Sequence, residues 1–174
     1  PELAINESYQ PTVARTLSKN GISYVEAGSI DQPICDRRGD LICADWGYAY
    51  LASTNGSGKS VSLGDYYGMK ESFVKNGTLA TTKAKWTTRK EEDNPAMAYV
   101  HNLGSVSNSG KEGFMMLGYD DIYSIEYMYE KRMGYWKHDG KVTIFDAFEK
   151  LRDNYQAIMA RGRAVAELIY DDAD

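Results

Sequence analysis

Two periods divide the chain. Up to about residue 142 apolar positions tend to recur every second residue, and from Thr143 they recur every three or four. Residues 10 to 29 ("QPTVARTLSKNGISYVEAGS") alternate loosely around a turn signal at Asn20-Gly21. Residues 32 to 52 ("QPICDRRGDLICADWGYAYLA") predict a hairpin with a long second strand. Ile42, Ala44, Trp46, Tyr48 and Tyr50 share one face of it, and Leu41, Cys43, Asp45, Gly47, Ala49 and Leu51 the other. Asp45 then lies among small residues opposite Trp46, where a carboxylate needs partners or water. Residues 53 to 62 are rich in Ser, Gly and Asn and read as a loop. "GDYYGMKESFVKNG" predicts a short helix stopped by Asn76-Gly77.

Residues 80 to 95 are polar and read as a surface excursion, and "AMAYVHNLGSV" and "EGFMMLGY" read as strands joined by a turn-rich "SNSGK". "DIYSIEYMYEKR" reads as a strand, with Tyr123, Ile125, Tyr127 and Tyr129 on one face and Ser124, Glu126, Met128 and Glu130 on the other. The closing helix carries a stripe of Ile144, Phe148, Leu151, Tyr155, Ile158 or Met159, Val165 and Ile169, with Thr143 as N-cap and Asp146 three residues on. No internal repeat is present. The expectation is a mainly β fold: β-sandwich-like antiparallel sheets, short helices and one long C-terminal helix.

Composition narrows the partners. At 174 residues one domain is the default. A net charge of −5 argues against a nucleic-acid backbone or an anionic membrane as a general partner. The apolar runs are too short to cross a bilayer. Fourteen tyrosines and three tryptophans beside four phenylalanines suit half-exposed sheet faces and contact surfaces. The C-terminal "AELIYDDAD" places acidic residues where they oppose a helix macrodipole, so the chain reads as a piece of a longer protein. Cys35 and Cys43 flank "DRRGDLI"; a disulfide across a hairpin there is conceivable but tight, and two buried thiols are the blander alternative.

Most chemical motifs dissolve on inspection. Gly58-Lys59-Ser60 ends a glycine-rich loop, but a phosphate loop of the Walker type needs glycine where Ser53 stands, and the segment after the loop is a poor helix. Ser72-Phe73-Val74-Lys75 matches the spacing of serine acyl enzymes. Thirteen serines and twelve lysines make one such match what chance supplies. Arg38-Gly39-Asp40 is turn chemistry at a hairpin tip. His101 and His138 stand in no metal-ligand spacing, so no metal or other cofactor is implied. Asp120 and Asp121, between two apolar strands, could do acid–base work or bind calcium. More often such a pair caps a turn or meets an arginine.

Three stretches are specific: "RRGDLICADWGYAYLA" (37 to 52), "FVKNGTL" (73 to 79) and "MMLGYDDIYSIEYMYEKRMGYWKHDGK" (115 to 141) with its trailing "FEKLRDNYQAIMARG". They resemble the N-terminal domain of the glutaminase A family, most closely in Asp45-Trp46-Gly47-Tyr48 and in "YDDIYSIEY" from Tyr119 to Tyr127. The resemblance runs from about Ile22 to the end and departs in the "STNGSGKS" loop and in residues 80 to 93. It implies an extracytoplasmic, periplasmic or secreted, protein in which a β-sandwich-like domain (1 to 142), incomplete at its N-terminus, precedes a closing or linker helix (143 to 174) and a larger helical domain of α/α-toroid type. The family name implies hydrolysis of glutamine to glutamate and ammonia, with the chemistry in the helical part, and no catalytic residue is carried over.

The function expected is a non-catalytic module that packs on the downstream helical domain and shapes it, with room for self-association of the fragment. Asp45, Trp46, Tyr48, Tyr119, Asp120, Asp121 and Glu126 are the residues expected near that junction. A carbohydrate-binding module is the alternative, with Trp46, Trp86, Trp136 and the tyrosines as a stacking platform. A third reading places an enzymatic site in this domain itself, which would need convergent carboxylates in a cleft.

Overall fold

Asn20 and Gly21 both take positive φ, 50° and 77°, and so turn β1 (Thr12–Lys19) tightly into β2 (Ile22–Ser29). The computed structural model describes residues 11–36, 46–56, 58–80, 83–88 and 95–173. β3 (Tyr48–Thr54) pairs with the other side of β2, β4 (Lys59–Asp65) leaves the sheet, and α1 (Tyr66–Asn76) follows at once. β5 (Lys85–Thr88), β6 (Pro95–His101), β7 (Met116–Asp120), β8 (Ile125–Tyr127) and β9 (Glu130–Arg132) come next. A 3-10 turn (Tyr135–Lys137), α2 (Ile144–Asp153) and α3 (Tyr155–Ala173) complete the order. All pairings are antiparallel, in a five-stranded sheet β5-β1-β2-β3-β7 and two-stranded sheets β4-β6 and β8-β9. The fold is mainly β and sandwich-like, with no closed barrel among the described residues.

Each face of the large sheet has its own cover. Ile22, Tyr24, Tyr50, Ala52 and Met116 meet Ile144 and Phe148 of α2 on one face. Ala14, Val25 and Ala27 meet Leu63 on the other, with Val61, Trp86 and Met97 at the margin. Thr143 and Asp146 form a full capping box that starts α2. Asp65 caps α1, whose end is the left-handed Gly77, as the sequence expects.

Several expectations are corrected. The stripe from Ile144 to Ile169 belongs to two helices, because the chain kinks at Asn154. There the Asn154 side chain donates to Lys150 O (2.8 Å) while the backbone bond from Ile158 N–H to Asn154 O persists (2.9 Å). The hairpin expected over residues 32 to 52 does not form as read. Residues 34 to 36 are a turn, β3 begins only at Tyr48, and the expected tip, with Cys43 and Asp45, lies outside the described residues. The supposed loop of residues 53 to 62 is mostly strand, and Lys59 and Ser60 open β4, so the glycine-rich stretch joins two strands. In the polar 80 to 95 region β5 adds an edge to the large sheet beside β1, where tertiary pairing outweighs polarity. "DIYSIEYMYEKR" is a hairpin of two three-residue strands, since Met128 and Tyr129 take φ of 49° and 67°.

Candidate functional site

The ends of β3 and β7 meet where cross-strand register sets Tyr48 opposite Asp120 and Ala49 opposite Tyr119. Just before β3, Gly47 has φ 91° and lies so close to the backbone of Asp120 and Asp121 that no side chain fits. The Gln32 amide clamps it: its oxygen accepts from Gly47 N–H at 2.5 Å, and its nitrogen donates to Ser29 O (2.8 Å) and Gly47 O (3.4 Å). Trp46 is buried, 9% exposed, and its indole N–H donates to Tyr123 O at 2.9 Å. The Tyr119 hydroxyl donates to Trp46 O.

Asp120 ends β7 in both of the roles expected of such a carboxylate, with lysine in place of arginine. Its Oδ1 accepts from Ile122 N–H (2.8 Å) and forms an ion pair with the buried Lys137 ammonium (2.5 Å), which donates to Ile122 O at 3.0 Å. Lys137 therefore fastens residues 121–136 back onto the sheet. Asp121 Oδ1 is buried and has no hydrogen-bond partner among the described residues.

Beside this cluster lies a concavity of about 560 Å³, lined by Cys35, Trp46, Ser124, Ile125, Glu126, Met128 and Tyr129. Burial pushes the Cys35 thiol up, and it points at Tyr123 O, 3.8 Å away. Its pairing with Cys43 falls outside the described residues. Lys131 donates to Ile34 O at 2.9 Å and so ties the β8–β9 hairpin to the turn at residues 34 to 36. The structure thus brings together Trp46, Tyr48, Tyr119, Asp120, Asp121 and Glu126, while Asp45 lies outside the described residues.

One polar cluster escaped the sequence reading. On the face that α2 covers, Glu26 is buried and accepts from Arg15 Nε at 2.6 Å and from the Tyr50 hydroxyl at 2.7 Å. Burial, with that bond to Glu26, holds Tyr50 far above the usual tyrosine range. The available signal was a lone acid at an inward position of "ISYVEAGS", in phase with Ile22 and Tyr24. Lys137 gave no comparable signal.

Chemically, Glu26 and Asp120 are each neutralised by a cation and further hydrogen bonds, which suits them to hold strands in place. Among the described residues no three or more His, Cys, Asp or Glu side chains gather as metal ligands. Ser72 donates to Thr78 O and Lys75 pairs with Glu71, so the acyl-enzyme spacing brings no amine to the serine. The tryptophans of the carbohydrate reading are inward: Trp86 and Trp136 are half-buried against the two cores, and Lys83 lies 3.6 Å from the Trp86 ring centre. Among the described residues no helix is long and apolar enough to cross a membrane.

A family model matches residues 1–172, and its description is Domain of unknown function (DUF5127). No curated protein and no solved structure matches the chain.

Proposed function

The chain belongs to the DUF5127 family, and we propose that it is a non-catalytic module of a larger, extracytoplasmic glutaminase-like protein, packing on a downstream helical domain and shaping it. The resemblance of "DWGY" and "YDDIYSIEY" to the glutaminase A family supports the identity of that larger protein. The observation that carries the docking role is the tip of the β8–β9 hairpin. Met128 and Tyr129 are 74% and 94% exposed, and both sit in the left-handed region in a two-residue turn. Asn-Gly is the usual choice there, and bulky side chains in that region cost about 1–2 kcal/mol each. Placing a strained methionine and tyrosine in solvent makes physical sense where a partner covers them. Ile125 and Tyr127, exposed on the same hairpin, extend the surface alongside the Trp46–Glu126 concavity.

The test is ammonia release from L-glutamine by the 174-residue chain and by the longer protein, side by side. Activity only in the longer protein, reduced by Tyr127→Ala together with Tyr129→Ala, is the expected result. Release by the 174-residue chain alone would overturn the reading and turn attention to the Asp120–Asp121 region. The carbohydrate-binding alternative now rests on the exposed Tyr127, Tyr129 and Tyr135. Retardation of the chain in polysaccharide-containing gels, abolished by Tyr129→Ala, would favour it.

A further inference from the structure

The apolar stripe that α2 buries against the sheet continues along α3 without a protein surface to receive it. Tyr155 anchors the start of α3 by stacking on Phe114 (4.1 Å between ring centres) and by donating to Glu112 at 2.9 Å. Beyond it every residue from Gln156 to Asp172 is exposed except the half-buried Ala166. Ile158, Val165 and Ile169 fall on one face, at the three- and four-residue steps of a coiled-coil seam, with Gly162 between them. In proteins most of a helix's stability comes from packing of such a face against a neighbour.

Two features of α3 say what kind of neighbour fits. Gly162 weakens a helix interior, yet a Cβ there would meet nothing within 4 Å, so among the described residues nothing calls for glycine. The charges are also divided: Arg161 and Arg163 lie in the first half, and Glu167, Asp171 and Asp172 in the second, with no base in the last turn. α3 is therefore complementary to its own reverse. Run antiparallel, basic half lies beside acidic half, whereas a parallel pair sets like against like. The step from Ile158 to Gly162 equals that from Val165 to Ile169, four residues each. An antiparallel register that packs Ile158 on the partner's Ile169 thus seats the partner's Val165 in the space left by Gly162.

We propose that α3 pairs antiparallel with α3 of a second copy of this chain, forming a two-fold dimer through Ile158, Gly162, Val165 and Ile169. This is separate from the docking assigned to the β8–β9 hairpin. Sedimentation equilibrium of the 174-residue chain over a wide concentration range should show a reversible dimer. Ile158→Asp or Ile169→Asp should weaken it at least tenfold. Gly162→Leu separates the readings: it raises the helicity of an isolated α3, seen by circular dichroism, yet weakens a dimer that needs the gap. Mixing Ile158→Cys with Ile169→Cys chains should give a cross-link that neither gives alone, judged against the unsubstituted chain. A monomer at every concentration would overturn the proposal and leave α3 to a helix of another domain. So would a dimer indifferent to the stripe variants, one tightened by Gly162→Leu, or cross-linking of either cysteine variant by itself.

Discussion

The surface beneath α2 and the surface presented by the β8–β9 hairpin with α3 draw on the same residue types, but one is sealed and the other open. Under α2, Phe148 is 3% exposed and turns its ring edge-on to Tyr24 and Tyr50 at 5.5 and 6.2 Å. On the open side Tyr127, Tyr129 and Ile169 stand in solvent. Apolar character alone thus does not say what a residue does for the fold. The closed side holds the chain together, and the open side is free to serve contacts with other molecules.

The largest contrast is expected at matched stripe positions. Phe148→Ala removes a ring from a closed core and should cost about 3–5 kcal/mol in chemical denaturation. Ile169→Ala should shift the dilute chain by no more than about 0.5 kcal/mol. Comparable costs at the two positions would mean that α3 is packed after all and would end the comparison.

Next in size comes the fastening of the open side to the closed one. Lys137→Met leaves the partly buried Asp120 carboxylate without its cation, for a loss of about 2–3 kcal/mol. Adding Asp120→Asn should recover part of it, because the stranded charge goes too. Losses that simply add would show that the pair does not couple.

These two regions were unequally legible in the sequence. Thr143 with Asp146 and Asn76-Gly77 are local signals, and the helix start and the helix stop they mark form where expected. The Asn20-Gly21 turn is equally local, and it fixes the register of β1 and β2. What failed depended on distant partners. β5 is polar and became a strand because the edge of β1 was free to pair. The kink at Asn154 interrupts a stripe whose spacing runs on unbroken. At the candidate site the residues from Tyr119 to Glu126 were legible as a group, since they are contiguous and fold locally against Trp46. Lys137 and Arg15 were not legible, because each is placed by an ion pair with a residue 11 or more positions away in sequence.

Within the closed side, two neighbouring tyrosines provide a finer test. Tyr50 donates to Glu26, whereas the Tyr24 hydroxyl is buried with no partner among the described residues. Tyr50→Phe should cost about 1–2 kcal/mol and Tyr24→Phe close to nothing. Burial pushes Tyr24 up to about 12, and Tyr50 is raised as well. Both folded values exceed the unfolded value of about 10. Their contribution is therefore whole below that pH and is lost as pH rises from there through the folded values. Urea unfolding should show stability falling above about pH 10, less steeply in Tyr50→Phe. An unchanged slope would mean that Tyr50 does not titrate with unfolding.

A modest effect on stability is the most informative about the open side. If the turn at Met128 and Tyr129 existed only to join β8 to β9, Asn-Gly would do it better, and the double variant Met128→Asn/Tyr129→Gly should stabilise the chain by at least about 1 kcal/mol. The same variant removes the two most exposed apolar side chains of the hairpin. In the longer protein it should therefore lower activity while the 174-residue chain alone melts at the same or a higher temperature. A loss of stability in the chain alone would show that the tip is already packed against something within it. Gained stability with full activity in the longer protein would leave the strained tip without a partner to explain it, and the docking role would have to move elsewhere on the surface.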